Sequence, residues 1–475
     1  MSPCDELRYA RLLEGLEVTI LPYSEAISAD PTGRLDSSFF EKRFIEIRKR
    51  AAAWDRLDIH AKSVVCGPFG SNLLNENYVE RGVPMIRPFN LRDCRSDQGD
   101  IALLKASFVD DEELKTFGRN TVMFARVGEV GAGVNLYDRA TISPNIIAAE
   151  LLKTVNPYFV GVFANTKFGR LQLEAGMKVV AQPTISTDSI RALRIPPLNQ
   201  DFQRKIAEMF MKAVDLEDRG VKLLTDAEKF LLHALGLKEW KIPDPLTYLR
   251  SSREAFAAGR LDAEHFKPKY DELLEYLEKT GEAKALGSML AINERGNQPE
   301  YAEKGLPVVN SKHVFGGEIR LDAENRVAAE DAAKILIEPN DVLMNGTGVG
   351  TIGRSAPYLH SGKAIPDNHV TILRPKPNVI DPIYLSVFIN SVAGQMQVEQ
   401  RLHGSSGQIE LYPSDIAEFV IWVAPEEIQK KVRQAIENGF TSKQRAIHLL
   451  DTAKHAVEIA VEQNERAALD YLRGI

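Results

Sequence analysis

The sequence predicts an α+β fold in which two globular domains are separated by an antiparallel pair of long coiled-coil helices, arranged as a pseudo-twofold circular duplication. Three observations lead there. Segments recur at one offset of 226 residues, short apolar β-branched runs alternate with turn residues in both halves, and each half closes on a heptad seam. Length and composition agree, since 475 residues exceed one ordinary domain and 44% hydrophobic with 26% charged residues describe a globular chain.

Residues 1–33 are read as a segment completing the repeat. ELRYARLLEGLEV (6–18) resembles EKFLLHALGLKEW (228–240), so the chain opens on the tail of a repeat unit. The same stretch carries acids early and lacks the apolar core of a secretory leader. The first globular domain, 34–198, opens with RLDSSFFEKRF, and the second, 260–424, opens with RLDAEHFKPKY. Far downstream, DSIRALRIPPLNQDFQRKI (188–206) faces SDIAEFVIWVAPEEIQKKV (414–432), which aligns Ile190 with Ile416 and Gln203 with Gln429 at the same offset of 226. Chance similarity would not hold one offset over anchors so far apart.

Between the anchors the offset slips by a few residues, as loop insertions produce. RGVPMIRPFNL (81–91) matches KGLPVVNSKHV (304–314), and NTVMFARVGEVG (120–131) matches NDVLMNGTGVGTIG (340–353). These apolar runs, with IIAAELL, HVTILRP and AEFVIWVAP, read as short strands. NPYFVGVFANT (156–166) and DPIYLSVFINS (381–391) read as helices opened by Asn-Pro and Asp-Pro. Apolar spacing is kept while the polar residues change, which describes one scaffold with two surfaces.

A central helix is expected over 199–237, a linker over 238–259 and a C-terminal helix over 425–475. Ile206, Met209, Ala213, Leu216, Gly220, Leu223, Ala227, Phe230, Ala234 and Leu237 alternate by three and four. Shifted by 226, the seam becomes Val432, Ala435, Gly439, Ser442, Ala446, Leu449, Ala453, Ala456 and Ala460. The small residues and shared phase favour pairing of the two helices over each helix packing only on its own domain. Thirty such residues span roughly 45 Å at 1.5 Å per residue, the length of about 13 base pairs.

No run of eighteen apolar residues is present, so no membrane-spanning helix is expected. Cys4, Cys66 and Cys94 form no CxxC pair, which suits a reducing cytoplasm. The net charge of −7 argues against a simple basic DNA-binding protein, although phosphate contact needs only a local basic stripe. Several motifs suggest chemistry and fail on context. GTGVGTIG (346–353) lacks the following helix and the GK[ST] tail of a phosphate loop. NPYF (156–159) resembles an amino-methyltransferase motif, yet its repeat partner DPIY and the missing methyl-donor loop mark a helix start. Asp367-Asn368-His369 faces Ser143-Pro144-Asn145, which has neither acid nor imidazole, and the nine histidines have no metal-ligand spacing. No self-contained active site, cofactor site or metal site is expected.

GPFGSNLL (67–74), the VPMIR and LPVVN segments, both RLD motifs, the strand-Pro-Gln-helix pattern and the duplication together resemble the specificity subunits of type I restriction–modification systems. The resemblance covers nearly the whole chain. It implies two target-recognition domains, each reading half of a bipartite, asymmetric site in double-stranded DNA. It further implies two methyltransferase subunits using S-adenosylmethionine, and restriction/translocase subunits using ATP and Mg²⁺, with no chemistry on this chain. The second copy departs by having ERGNQPEY (294–301) where the first has GPFGS.

Base readout calls for Arg or Lys toward guanine and Asn or Gln toward adenine. Candidates in the first domain are Ser71, Asn72, Arg87, Asn90, Arg92, Arg126, Lys178 and Gln182. In the second they are Asn310, Lys312, His313, Asn345, Thr347, Arg354, His403, Ser405, Ser406 and Gln408. Gln182 and Gln408 coincide across the copies and so are equally readable as scaffold. Two other functions compete: a coiled-coil scaffold without sequence readout, and a nucleotide-binding enzyme using GTGVGTIG.

Overall fold

The computed structural model describes residues 19–28, 34–68, 74–97, 99–112, 114–178, 183–238, 240–241, 245–321, 325–404 and 409–474. It divides into two compact units, Met1–Leu216 with Arg445–Ile475, and Glu217–Gln444. The units do not end where the ranges 34–198 and 260–424 end, because each takes in part of both long helices.

In the first unit the central sheet has the order Ala61–Cys66, Ile146–Leu151, Val122–Ala125 and Ala132–Val134, all antiparallel. Beside it lies a three-stranded sheet of Ala102–Leu104, Tyr78–Ile86 and Thr141–Ile142, whose last pair is parallel. A ribbon joins Asp55–Arg56 to Arg194–Ile195. The central strands are continuous apolar runs because both their faces are covered. Val122, Phe124, Ile147 and Ala149 point into a core shared with helix Pro157–Ala164, while Met123, Ile146 and Ala148 point the other way, toward Ile86 and Ile142.

The second unit repeats this plan. Its central sheet runs Leu290–Arg295, Val370–Pro375, Val342–Asn345 and Ser355–Pro357. Leu306–Val309 again pairs in parallel with Ile365–Pro366, and Ala283–Ala285 pairs with Val420–Trp422. Even the irregularity of the first strand recurs, between Ala61 and Ser63 in one unit and between Leu290 and Ile292 in the other. Asn120 and Asn340 both turn the chain into the next strand with positive φ, 71° and 70°, a conformation that asparagine tolerates better than most side chains.

The long helices span Gln200–Ala234 and Glu426–Glu462, and a separate helix Glu465–Arg473 follows a break at Gln463 and Asn464. They pair antiparallel. In the second unit Gly220 backs onto Gly439, and ten residues on Phe230 lies under Lys431. In the first unit Ile206, Met209, Phe210 and Ala213 share one core with Leu450, Ala453, Ala456 and Val457. Pairing and packing on the domain therefore occur together, because the same core also contains Phe159 and Phe163 of the globular part. One part of the expected seam is corrected: Leu231 and Leu235 are buried while Ala234 is exposed. A straight helix of 3.6 residues per turn drifts from a 3.5 repeat, and the end of this one buries its stripe against Tyr270, Leu273 and Leu277.

Candidate nucleic-acid interface

The repeat anchors are frame. Gln203 is buried; its Oε1 accepts from Asn156 N (2.9 Å) and its Nε2 donates to Leu198 O (2.8 Å). Gln429 does the same with Asp381 N (2.9 Å) and Ala424 O (2.7 Å). Each glutamine thereby ties the first turn of a long helix to the residue that caps a domain helix. Those caps are Asn156, accepting from Tyr158 N and Phe159 N, and Asp381, accepting from Ile383 N and Tyr384 N. NPYF and DPIY are helix starts.

The RLD motifs are equally structural. Arg34 holds Asp36 (2.8 Å) and donates to Ala175 O (3.1 Å), while Arg260 holds Asp262 (2.8 Å) and donates to Leu402 O (2.9 Å). Each arginine fastens the opening segment to the end of a domain helix. Hydrogen bonding to the guanidinium outweighs burial and holds both carboxyls below the ordinary aspartate range.

Arg126, Thr347 and Arg354 lie in the loops at one end of each central sheet. Gly67 ends the first strand of one sheet and Gly296 that of the other, and an added Cβ would lie 2.1 Å from Ser143 O or 2.4 Å from Asp367 O. The second copy therefore keeps the close approach of the GPFGS segment although the letters around Gly296 differ. GTGVGTIG is the turn between strands Val342–Asn345 and Ser355–Pro357, with positive φ at Gly348, Gly350 and Gly353. No helix follows it, so the phosphate-loop geometry is missing.

Individual candidates separate by exposure. Arg92, Lys178, Lys312 and Arg354 are exposed, and their side chains engage no other described residue. Thr347 Oγ1 lies 2.7 Å from His369 Nδ1, and His403 Nε2 lies 3.1 Å from Asp415 Oδ1 with its ring beside Tyr412. Arg87 is half-buried over Phe89 and donates to Asp100 O (2.7 Å). Arg126 is half-buried and reaches Pro144 O (3.3 Å) and Cys66 Sγ (3.6 Å).

Three candidates are buried. Asn90 is fully buried, its amide accepting from Arg87 N (2.9 Å) and donating to Asp100 O (3.2 Å). Asn345 is fully buried and donates to Ser311 O (3.1 Å) and Thr351 O (3.2 Å). His313 is buried, with Nδ1 accepting from Asn310 N (3.1 Å). These amides and this ring brace short loops, and Asn310 joins the last of them through its backbone N–H. Ser71, Asn72, Gln182, Ser405, Ser406 and Gln408 lie outside the described residues.

Sequence reasoning missed Arg295. Its Nη2 donates to Leu411 O (2.6 Å) and Gly346 O (3.3 Å), and its guanidinium lies 5.4 Å from the Tyr412 ring centre. The available signal was a mismatch between aligned loops, Arg126 in one copy against Gly346 in the other. Burial pushes the core Cys94 thiol up to about 12, far from a thiolate at neutral pH, and burial also raises Asp367.

No family model matches the sequence, and no curated protein matches it. Among solved structures, the chain is similar to the S subunit of a type I restriction–modification system from M. genitalium, at 14% identity and TM-score 0.36, covering 87% of this chain and 95% of that one. It is similar to a chain from a study of assembly and conformational transition of the type I R-M system, at 15% identity and TM-score 0.27, covering 88% and 96%. The HsdS subunit from Thermoanaerobacter tengcongensis gives 14% identity and TM-score 0.27, covering 88% and 95%.

Proposed function

We propose that the chain is the DNA-specificity subunit of a type I restriction–modification complex, each domain reading one half of a bipartite, asymmetric site. One observation carries this reading: the same frame occurs twice, and unlike cations project from it. Gln203 and Gln429, Arg34 and Arg260, and Gly67 and Gly296 make equivalent contacts. Arg92 and Lys178 project from one frame, Lys312 and Arg354 from the other. Equal frames with unequal projecting side chains suit two different half-sites better than a palindrome.

With a net charge of −7, the isolated chain gains little from non-specific phosphate attraction, which fits a reader that works inside a complex. In this reading two methyltransferase subunits carry S-adenosylmethionine, translocase–nuclease subunits carry ATP and Mg²⁺, and this chain performs no chemistry in the cytoplasm. Paired partners need paired surfaces. Ile20, Tyr23 and Leu35 are exposed, and so are Leu246, Leu249 and Leu261, each 226 residues further on.

The test is co-expression with a type I methyltransferase subunit, followed by sequencing of modified adenines. A split, asymmetric motif that disappears when this chain is deleted is the expected result. Methylation without a split motif, or DNA retention indifferent to sequence, would replace the reading with that of a coiled-coil scaffold.

A further inference from the structure

Backbone pairing fixes which positions of the two domains correspond. Cys66 pairs with Ile147 and precedes Gly67, whose N–H donates to Ile146 O (3.1 Å). Arg295 pairs with Thr371 and precedes Gly296, whose N–H donates to Val370 O (2.9 Å). Arg126 N donates to Asn145 O (2.9 Å) while Arg126 O accepts from Ile185 N (2.9 Å); Gly346 N donates to His369 O (2.8 Å) while Gly346 O accepts from Leu411 N (2.9 Å). Cys66 thus corresponds to Arg295, and Arg126 to Gly346.

The side chains at these positions are interchanged. In the first domain the guanidinium comes from Arg126 and reaches across to Cys66 Sγ (3.6 Å) and Pro144 O (3.3 Å). In the second it comes from the first strand of the sheet, from Arg295, and reaches past Val370–Pro375 to Gly346 O and Leu411 O. A Cβ at Gly346 would lie 2.7 Å from Arg295 Nη2 and 3.2 Å from its Cζ, so a side chain there would displace the guanidinium from this position. One corner at the end of each sheet holds one guanidinium, delivered from opposite sides.

We propose that this guanidinium is the positioning residue of each recognition face, with Arg295 doing in the second domain what Arg126 does in the first. One Nη of the guanidinium meets two acceptors from separate segments at once, Gly346 O and Leu411 O for Arg295, and Cys66 Sγ and Pro144 O for Arg126. In the second domain it ties the turn beginning at Gly346 to the segment ending at Leu411, between which Thr347, Arg354 and His403 are carried. In the first it ties the turn beginning at Arg126 to the Cys66–Pro144 edge. Its hydrogen bonds run to backbone carbonyls and, in the first domain, to Cys66 Sγ, while Arg295 Nη1 also lies 3.6 Å from Glu410 Oε2, so it sets the spacing of the loops.

The proposal rests on the DNA-reading function, and its test separates the two. The purified chain is compared with Arg295→Cys, with Arg295→Cys/Gly346→Arg, which installs the first domain's arrangement, and with the mirror exchange Cys66→Arg/Arg126→Gly. Amide exchange is followed at 346–354 and at Glu410 and Leu411, or at the corresponding turn for the mirror variant. The same variants are then scored for discrimination at each half-site in complex with methyltransferase. Arg295→Cys should speed exchange at those amides and lower discrimination about tenfold at one half-site only, the size of losing a charge-assisted hydrogen bond. Both exchanged pairs should return to the original behaviour. Unchanged exchange in Arg295→Cys, or exchanged pairs that stay as fast as Arg295→Cys, would overturn the proposal. Restored exchange protection in a protein that discriminates no half-site at all would support the positioning role and sink the DNA-reading function.

Discussion

The contact between Gly220 and Gly439 gives a prediction whose sign differs between two chemically identical changes. Replacing a helical glycine by alanine gains about 1 kcal/mol of helix stability when space allows. At Gly220 it does not allow: the new Cβ would lie 2.6 Å from Lys443 Cγ and 2.9 Å from Gly439 O. Lys443 cannot swing aside freely, because its Nζ pairs with Glu318, a buried carboxylate that also pairs with Arg320. Overpacking of this kind costs ~1–3 kcal/mol, and loosening a buried ion pair adds to it, so Gly220→Ala should destabilise the second unit by about 1–2 kcal/mol net of the helix gain. At Gly439 the closest atoms to a new Cβ are Gly220 O at 3.1 Å and Leu224 Cδ2 at 3.4 Å. A few tenths of an ångström of give suffices there, and Gly439→Ala should be neutral or stabilising by up to about 1 kcal/mol. For a unit of this size 1 kcal/mol moves a melting midpoint by roughly 2–4 °C. Thermal unfolding followed by circular dichroism therefore resolves the pair. Equal shifts for the two variants, or a raised midpoint for Gly220→Ala, would refute the packing argument.

Three further outcomes are expected. Gln203→Ala and Gln429→Ala should each lower stability by about 2–4 kcal/mol, since each strands a backbone N–H and a C=O; urea denaturation of both variants checks that the equivalent residues cost alike. Glu318 is raised by burial, but Lys443 and Arg320 outweigh that and hold its carboxyl below the ordinary range. Because its folded-state value is depressed, its stabilisation is complete above the ordinary glutamate value of about 4.3 and is lost as pH falls through the lower folded value. Denaturant midpoints of Lys443→Met and the unaltered chain should accordingly differ more at pH 7 than at pH 3, and a constant difference would contradict the assignment. Removing the charge of Lys312 or Arg354 should flatten the salt dependence of DNA binding by the complex, with log–log slope reduced by about 0.9 per lost phosphate contact, measurable by titration at several salt concentrations.

The frame was legible in the sequence because it is made of side chains that repeat at one offset: the RLD arginines, the two glutamines and the Asn-Pro and Asp-Pro helix starts. Their contacts are constrained by the backbone geometry they serve, so the letters persist in both copies. The projecting residues were half legible. Arg92, Lys178, Lys312 and Arg354 lie on the surface as loop cations should, but Asn90 and Asn345 look the same on paper and are buried. What buries them is a carbonyl brought from elsewhere, Asp100 O in one case and Ser311 O in the other, and such returns of the chain leave no local pattern. Arg295 escaped for the same reason, since its corner is assembled from three separate segments. The seam of the first long helix was legible until Ala227, after which packing against Tyr270 and Leu273 replaced the heptad rule.

The division of the long helices between the two units bears on how the chain is made. The first unit's core includes Ala446, Leu450, Ala453, Val457 and Ala468, all of which leave the ribosome after the entire second unit. At ~5–20 residues per second, translation from residue 216 to 446 takes on the order of 10–50 s. Throughout that interval Phe202, Ile206, Met209 and Phe210 have no covering helix. The domain synthesised second is thus the first that can finish folding, and the domain synthesised first waits with an open apolar face. On a polysome, the second long helix of one chain can close the waiting domain of its neighbour, giving an exchanged dimer. Chaperone cover of the nascent first domain, or slow translation through 217–444, would govern how much of this protein matures as single chains.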